Sequence, residues 1–206
     1  MTMRISECRQ NVAGLILAAG ASTRMGKLKQ LLPVGRRTLL GCILNETLKS
    51  DLNKVILVLG HRFNEIQAAL GQILQHPKLK VVENSHYKEG ISSSIIAGLF
   101  EIEKDHDHVM VILGDMPNIS SSLINLLLDK YLKSNLPIGA IKIRTKQSHP
   151  VIFCRKMYYE LHKLYGDIGA RNLFIKYSDQ VCLVEPDNFY DNTDIDTPED
   201  YVKFSR

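Results

Sequence analysis

Val12-Ala13-Gly14-Leu15-Ile16-Leu17-Ala18-Ala19-Gly20-Ala21-Ser22-Thr23-Arg24-Met25-Gly26 is the stretch that decides how this chain is read. Its opening, Val12–Leu17, is continuously apolar, as in a parallel strand covered on both faces. The chain then enters a turn of small residues, whose backbone N–H groups can cradle phosphate oxygens. Arg24 and, just beyond, Lys29 supply what a polyphosphate needs, one as a planar fork and one as a mobile point charge. Gly20 and Gly26 stand six apart, so this is not the GxGxxG dinucleotide fingerprint, and no GK[ST] follows to make a Walker loop. Taken alone, such a turn is an ordinary strand-to-helix connection with two solvated basic residues. The density of features here tips the balance toward a working site.

Outward from this segment the pattern repeats. Val55–Leu59, Leu79–Val82 and Val109–Leu113 are further apolar runs of strand length. Between them Leu40, Ile43, Leu44, Thr47 and Leu48 recur at helical spacing, as do Phe63, Ile66, Leu70 and Ile73, and later Leu123, Leu127 and Tyr131. Strand–helix–strand repetition predicts right-handed crossovers and a mainly parallel sheet in an α/β sandwich. After residue 135 the rhythm changes. Ile138–Ile143 and Val151–Cys154 are strands joined by a polar loop, Arg144–His149, which predicts a hairpin inserted on the sheet. Helical segments near Lys156–Leu164 and Ala170–Lys176 follow, then a strand at Val181–Val184 and a last helix opening at Pro198. One domain over residues 1–206 with an inserted lobe is the economical reading.

Composition excludes several classes. The 206 residues are 45% hydrophobic and 23% charged, which is globular and long enough to bury a core without staples. The net charge of +4 suits small anions but is not gathered into the basic runs of a nucleic-acid surface. Cys8, Cys42, Cys154 and Cys182 show no metal or disulfide spacing and read as reduced thiols. Val12–Ala21, the longest apolar stretch, is too short to span a bilayer. Arg4 and Arg9 ahead of it, with Ala19 and Ala21 behind, imitate a secretory signal. Arg24, Lys27 and Lys29 follow at once, however, so the expectation is a cytoplasmic protein without membrane contact.

Two acidic constellations complete the picture. Gly114-Asp115-Met116-Pro117 directly follows the strand Val109–Leu113, at the strand end where open α/β sheets bind ligands. An acid there can hold Mg²⁺ on a phosphate, although Asp before a proline turn is also common. In Asp194-Ile195-Asp196-Thr197-Pro198-Glu199-Asp200, alternation puts Asp194 and Asp196 on one side, and either can join Asp115 at a metal. The same acids also suit a helix start capped by Asp196 or Thr197. Asn84, Gly90 and Ser92-Ser93-Ser94 offer donors to a base or ribose, or else a capping box. Gly166-Asp167-Ile168-Gly169-Ala170-Arg171 makes a turn into a helix with a guanidinium for an anion, and His149 is the histidine nearest the predicted cleft.

Together these residues resemble the molybdopterin-type nucleotidyltransferases, most closely the molybdenum cofactor cytidylyltransferases. The resemblance rests on Leu17–Gly26 with Lys29, Gly114–Pro117, His149-Pro150-Val151-Ile152-Phe153, Gly166–Arg171 and Asp194–Asp200. It implies a Rossmann-like three-layer sandwich with a mostly parallel mixed sheet, of the nucleotide-diphospho-sugar-transferase kind. About 12–135 would form a nucleotide-binding half and about 136–195 an acceptor-binding part. It also implies transfer of CMP from CTP to molybdenum-molybdopterin, with Mg²⁺ on Asp115 and Asp196 and a recipient molybdoenzyme downstream. On this reading Arg24, Lys29 and Asp115 are catalytic. Leu17, Ala18, Ala19, Gly20, Asn84 and Ser93 join them around the nucleotide, and His149, Pro150, Asp167 and Arg171 meet the acceptor. Related guanylyl-transferring enzymes carry a second glycine where Ala19 stands, so its methyl is expected to disfavour a purine. Arg144-Thr145-Lys146-Gln147-Ser148 departs from the family's glycine-rich loop, as do Ser85 and Asn118 at their positions, which leaves room for another small phosphate as acceptor.

Overall fold

In the computed structural model, which describes residues 11–186 and 190–205, strands and helices alternate much as the periodicity predicts. In chain order they are β1 (Val12–Ala18), β2 (Pro33–Val34), β3 (Arg37–Thr38), α1 (Leu39–Lys49), β4 (Lys54–Leu59), α2 (Phe63–Leu70), β5 (Leu79–Glu83), α3 (Ile91–Leu99) and β6 (His108–Leu113). Then come α4 (Ser121–Ser134), β7 (Ile138–Ile143), β8 (Lys146–Cys154), α5 (Tyr158–His162), α6 (Arg171–Lys176), β9 (Val181–Val184) and α7 (Pro198–Phe204). Arg4, Cys8 and Arg9 lie outside the described residues. Among those described, Cys42, Cys154 and Cys182 are free thiols, and no helix is long and apolar enough to cross a membrane.

Seven strands form one sheet in the order β5-β4-β1-β6-β8-β7-β9, and β2 and β3 make a separate hairpin. β1 pairs in parallel with both β4 and β6, whereas β8 runs antiparallel to its neighbours β6 and β7. Alternation along β1 sends Val12, Ile16 and Ala18 into one core and Ala13, Leu15 and Leu17 into the other. The first core is roofed by α1, α2 and α4, and the second by α3, α5 and α6. These are the three layers that a doubly covered sheet requires. Local chemistry ends the helices where it should. The Thr38 and Ser120 side chains accept N–H groups at the starts of α1 and α4, and Asn135 closes α4 in a left-handed conformation.

Two local expectations are corrected. Arg144–His149 is not a loop: β8 begins at Lys146, Ile143 faces Lys146, and only Arg144 and Thr145 make the turn. This outer end of the hairpin is exposed, so its strand residues need not be apolar and give no hydrophobic signal. The hairpin lies on the sheet as expected, since β8 and β7 extend it, and β9 joins them in parallel. The helix predicted through Ile73 stops at Leu70, where Gly71 at φ 57° turns the chain into a 3₁₀ segment.

α3 lies unusually close to the sheet. A Cβ on Gly98 would stand 2.1 Å from Cδ1 and 3.1 Å from Cγ of Leu15, which is fully buried. In an exposed helix, Gly→Ala would stabilise by about 1 kcal/mol. Here overpacking wins, and Gly98→Ala is expected to lower stability by about 1–3 kcal/mol, read from urea denaturation midpoints.

Candidate active site

The chain leaves β1 toward β4 and leaves β6 toward β8 and β7, so two adjacent parallel strands send their loops in opposite directions. A crevice opens between them at their carboxyl ends. Its cavity, about 310 Å³, is lined by Leu17, Ala18, Ala19, Gly20, Arg24, Lys29, Gln30, Tyr87, Gly90, Ile91, Ser94, Leu113, Gly114, Asp115 and Asp167.

The small-residue turn is held open by a side chain that sequence reasoning missed. Gln30 is 2% exposed, and its Nε2 donates to the carbonyls of Ala18 at 3.1 Å and Gly20 at 2.9 Å. Its Oε1 accepts from Ser22 Oγ at 3.2 Å, and that hydroxyl in turn accepts the Lys29 N–H at 3.3 Å. Ser22 itself sits at φ 54°, a strained choice for a residue with a Cβ. Carbonyls tied to a buried amide cannot swing into the cleft and repel an anion there. The one clue in the sequence was a polar residue wedged between Lys29 and Leu31-Leu32.

At the mouth, Lys29 Nζ bridges Asp115 Oδ2 and Asp196 Oδ1, each at 2.7 Å. Burial opposes its charge, but the two carboxylates more than compensate and hold the ammonium above the usual lysine range. The same contact from Lys29 holds the Asp196 carboxyl below its ordinary range, and Arg24 adds to this from 3.1 Å. Asp194 goes the other way, raised by burial and by the neighbouring charge of Asp115. Buried Ile195 separates the two acids, and its N–H donates to the Asp115 carbonyl at 2.9 Å, locking the segment beside β6. Thr197 supplies the cap of α7 in a capping box with Asp200, which leaves Asp196 for Lys29.

The oxygen chemistry suits a hard divalent cation. Asp115 Oδ1 is buried without a hydrogen-bond partner, and Asp115 with Asp196, or Asp194 beside them, could hold such an ion. Among the described residues no group of three or more His, Cys, Asp or Glu forms a ready cage. Mg²⁺ is usually held by one or two carboxylates with phosphates completing its shell, and the pair here fits that pattern.

A second cavity of about 580 Å³ adjoins the first at Leu113 and is lined by Met116, Lys142, Lys146, Gln147, His149, Phe174, Arg171, Asn192 and Asp194, among others. His149 reaches it through a bulge, in which Ala140 faces Val151 while Ile141 faces Ser148, so that His149 and Pro150 are left out of the ladder; Pro150 itself is buried and does not line the cavity. Burial pushes the His149 imidazole toward its neutral form. With Nδ1 donating to the Val111 carbonyl at 3.4 Å, Nε2 is left as an acceptor. Three more of the residues expected in the site sit elsewhere. Asn84 is buried and spends its amide on Ser93 and Ser94 and its oxygen on the His86 N–H. Ser93 donates to loop carbonyls, leaving Ser94 to line the cleft, and Asp167 borders the first cavity rather than the second.

Gln30→Leu would keep the volume of the side chain but strand two carbonyls that now share its amide. A loss of about 1–3 kcal/mol in unfolding free energy is expected, measured by chemical denaturation.

Comparison with known proteins identifies the family. The chain is 27% identical over 195 residues to nicotine blue oxidoreductase of Paenarthrobacter nicotinovorans, covering 91% of this chain and 93% of that one. It is 26% identical over 196 residues to molybdenum cofactor cytidylyltransferase of Escherichia coli K12, covering 91% and 92%. A manganese complex from Mycobacterium tuberculosis H37Rv superposes with a TM-score of 0.78 at 26% identity, over 94% of this chain and 97% of the other. The MobA-like NTP transferase domain matches residues 14–181, and with its crevice between β1 and β6 the chain is a nucleotidyltransferase-fold member of that family.

Proposed function

We propose that this protein transfers CMP from CTP to the terminal phosphate of molybdopterin carrying molybdenum and releases pyrophosphate. The observation that carries the reading is the Lys29 ammonium bridging Asp115 and Asp196 where the two cavities adjoin. The small-residue turn receives the nucleotide, with Ala19 against the base side and Arg24 and Lys29 steadying the β- and γ-phosphates. The acceptor occupies the part of the chain from about 136 to 195, where Arg171 meets its phosphate and His149 Nε2 accepts from an N–H or O–H group elsewhere on the acceptor. An acceptor phosphate oxygen bonds to the α-phosphorus, and the bond from that phosphorus to the β-phosphate bridge breaks, releasing pyrophosphate. Both reactants are anions, so alignment and charge neutralisation supply most of the rate. Asp115 and Asp196 would hold Mg²⁺, which when bound neutralises charge on the triphosphate; the related manganese complex supports a divalent ion.

The names of the relatives differ although their identities to this chain are nearly equal, so kinship does not choose the acceptor. Lys142 and Lys146 beside the second cavity favour a second reading, cytidylyl transfer to another small phosphate such as a sugar or polyol phosphate.

The test is pyrophosphate release with Mg²⁺, each nucleoside triphosphate in turn, and either molybdenum-loaded molybdopterin or a panel of small phosphates. Release is expected with CTP and molybdopterin. Release with a panel member alone selects the second reading, and CTP binding without turnover selects a cofactor carrier. Asp115→Asn is expected to lower kcat by about 10²–10³-fold, as for loss of one key electrostatic group. Ala19→Gly is expected to narrow the preference for CTP over GTP in kcat/KM.

A further inference from the structure

The turn Gly166–Ala170 is fastened to the start of α3, and both border the first cavity. Asp167 Oδ1 accepts the Ile91 N–H at 3.2 Å, and the Gly166 carbonyl accepts the Ser92 N–H at 3.1 Å. These are the first two residues of α3, and the N-cap, Gly90, has no side chain to offer them. Helix starts leave such amides without intrahelical partners, and here a segment up to 76 residues away in sequence supplies partners for both of them. Contact is intimate: a Cβ on Gly90 would lie 2.3 Å from the Gly166 carbonyl carbon, and one on Gly169 would lie 3.3 Å from Ile91 Cγ2.

The turn has little stiffness of its own, since Gly166 and Gly169 both take left-handed angles, φ 64° and 58°. Its path is therefore set by what it touches. Four residues beyond Asp167, Arg171 opens α6 and lines the acceptor cavity, whereas Asp167 borders the nucleotide cavity. We infer that Asp167 is a positioning residue. By capping α3 it ties the nucleotide-side helix to the acceptor-side turn and so sets Arg171 over the second cavity. This rests on the reading above that Arg171 meets the acceptor, and it replaces the expectation that Asp167 contacts the acceptor itself.

Asp167→Ala and Asp167→Asn separate the cap from the charge, because an amide oxygen still accepts the Ile91 N–H. Hydrogen–deuterium exchange without any substrate reads the latch, and steady-state kinetics read its consequence. Asp167→Ala is expected to speed exchange in residues 88–95 and 163–172 together. It should raise the acceptor KM about tenfold, the size expected for loss of one cap, and more than it changes kcat or the CTP KM. Asp167→Asn should recover most of both effects. Asp167→Asn as impaired as Asp167→Ala would overturn the inference, since charge rather than capping would then matter. So would unchanged exchange in either segment, or an unchanged acceptor KM in Asp167→Ala. If the wild-type protein turns over no acceptor, the functional reading falls, and exchange alone still decides the latch.

Discussion

One ammonium group holds the working edge of this protein together. Lys29 reaches across 86 residues of sequence to Asp115 and across 167 to Asp196, and touches both. None of the three groups would tolerate partial burial alone, because a charge removed from water must be paired. Together they balance: the carboxylates keep the lysine charged, the lysine keeps Asp196 ionised, and Asp194, left outside the pairing, has its carboxyl raised. The charge arrangement exists only once β1, β6 and the segment before α7 have met.

Around that point the fold builds a frame rather than a cage. The divergence of the chain after β1 and β6 opens the crevice, and the close seat of α3 on Leu15 places the start of that helix at its rim. Gln30 shapes the small-residue turn from below, while the bulge in β8 aims His149 from the far side. Much of the specific geometry is thus imposed by polar and packing supports around the cleft. They act by holding backbone carbonyls and loops in place, so that the cleft stays open while its own charges stay paired.

Much of this was legible in advance. Continuous apolar runs and helical spacing announced a doubly covered parallel sheet, because burial on both faces leaves no room for polar alternation. Less legible were the outer turn of the β7–β8 hairpin and the end of α2. The first is exposed and carries no hydrophobic signal, and the second ends on the left-handed geometry of one glycine. The polar supports were the hardest. Gln30, Asn84 and Asp167 are unremarkable residue types in sequence, and what each does depends on partners as far as 76 residues away.

The sequence by itself determined the alternation of strands and helices. It also determined that Arg24, Lys29 and Asp115 follow strands β1 and β6. In a parallel sheet the carboxyl ends of the strands lie along one edge, so residues just beyond them are brought near one another. Only the tertiary structure decided which of Asp194 and Asp196 meets Lys29 and that Asn84 supports rather than lines the cleft. It also decided that Asp167 caps a helix instead of facing the second cavity. Those outcomes depend on strand order, register and loop path, and a hydrogen bond effective only within about 3 Å cannot be read from residue types alone.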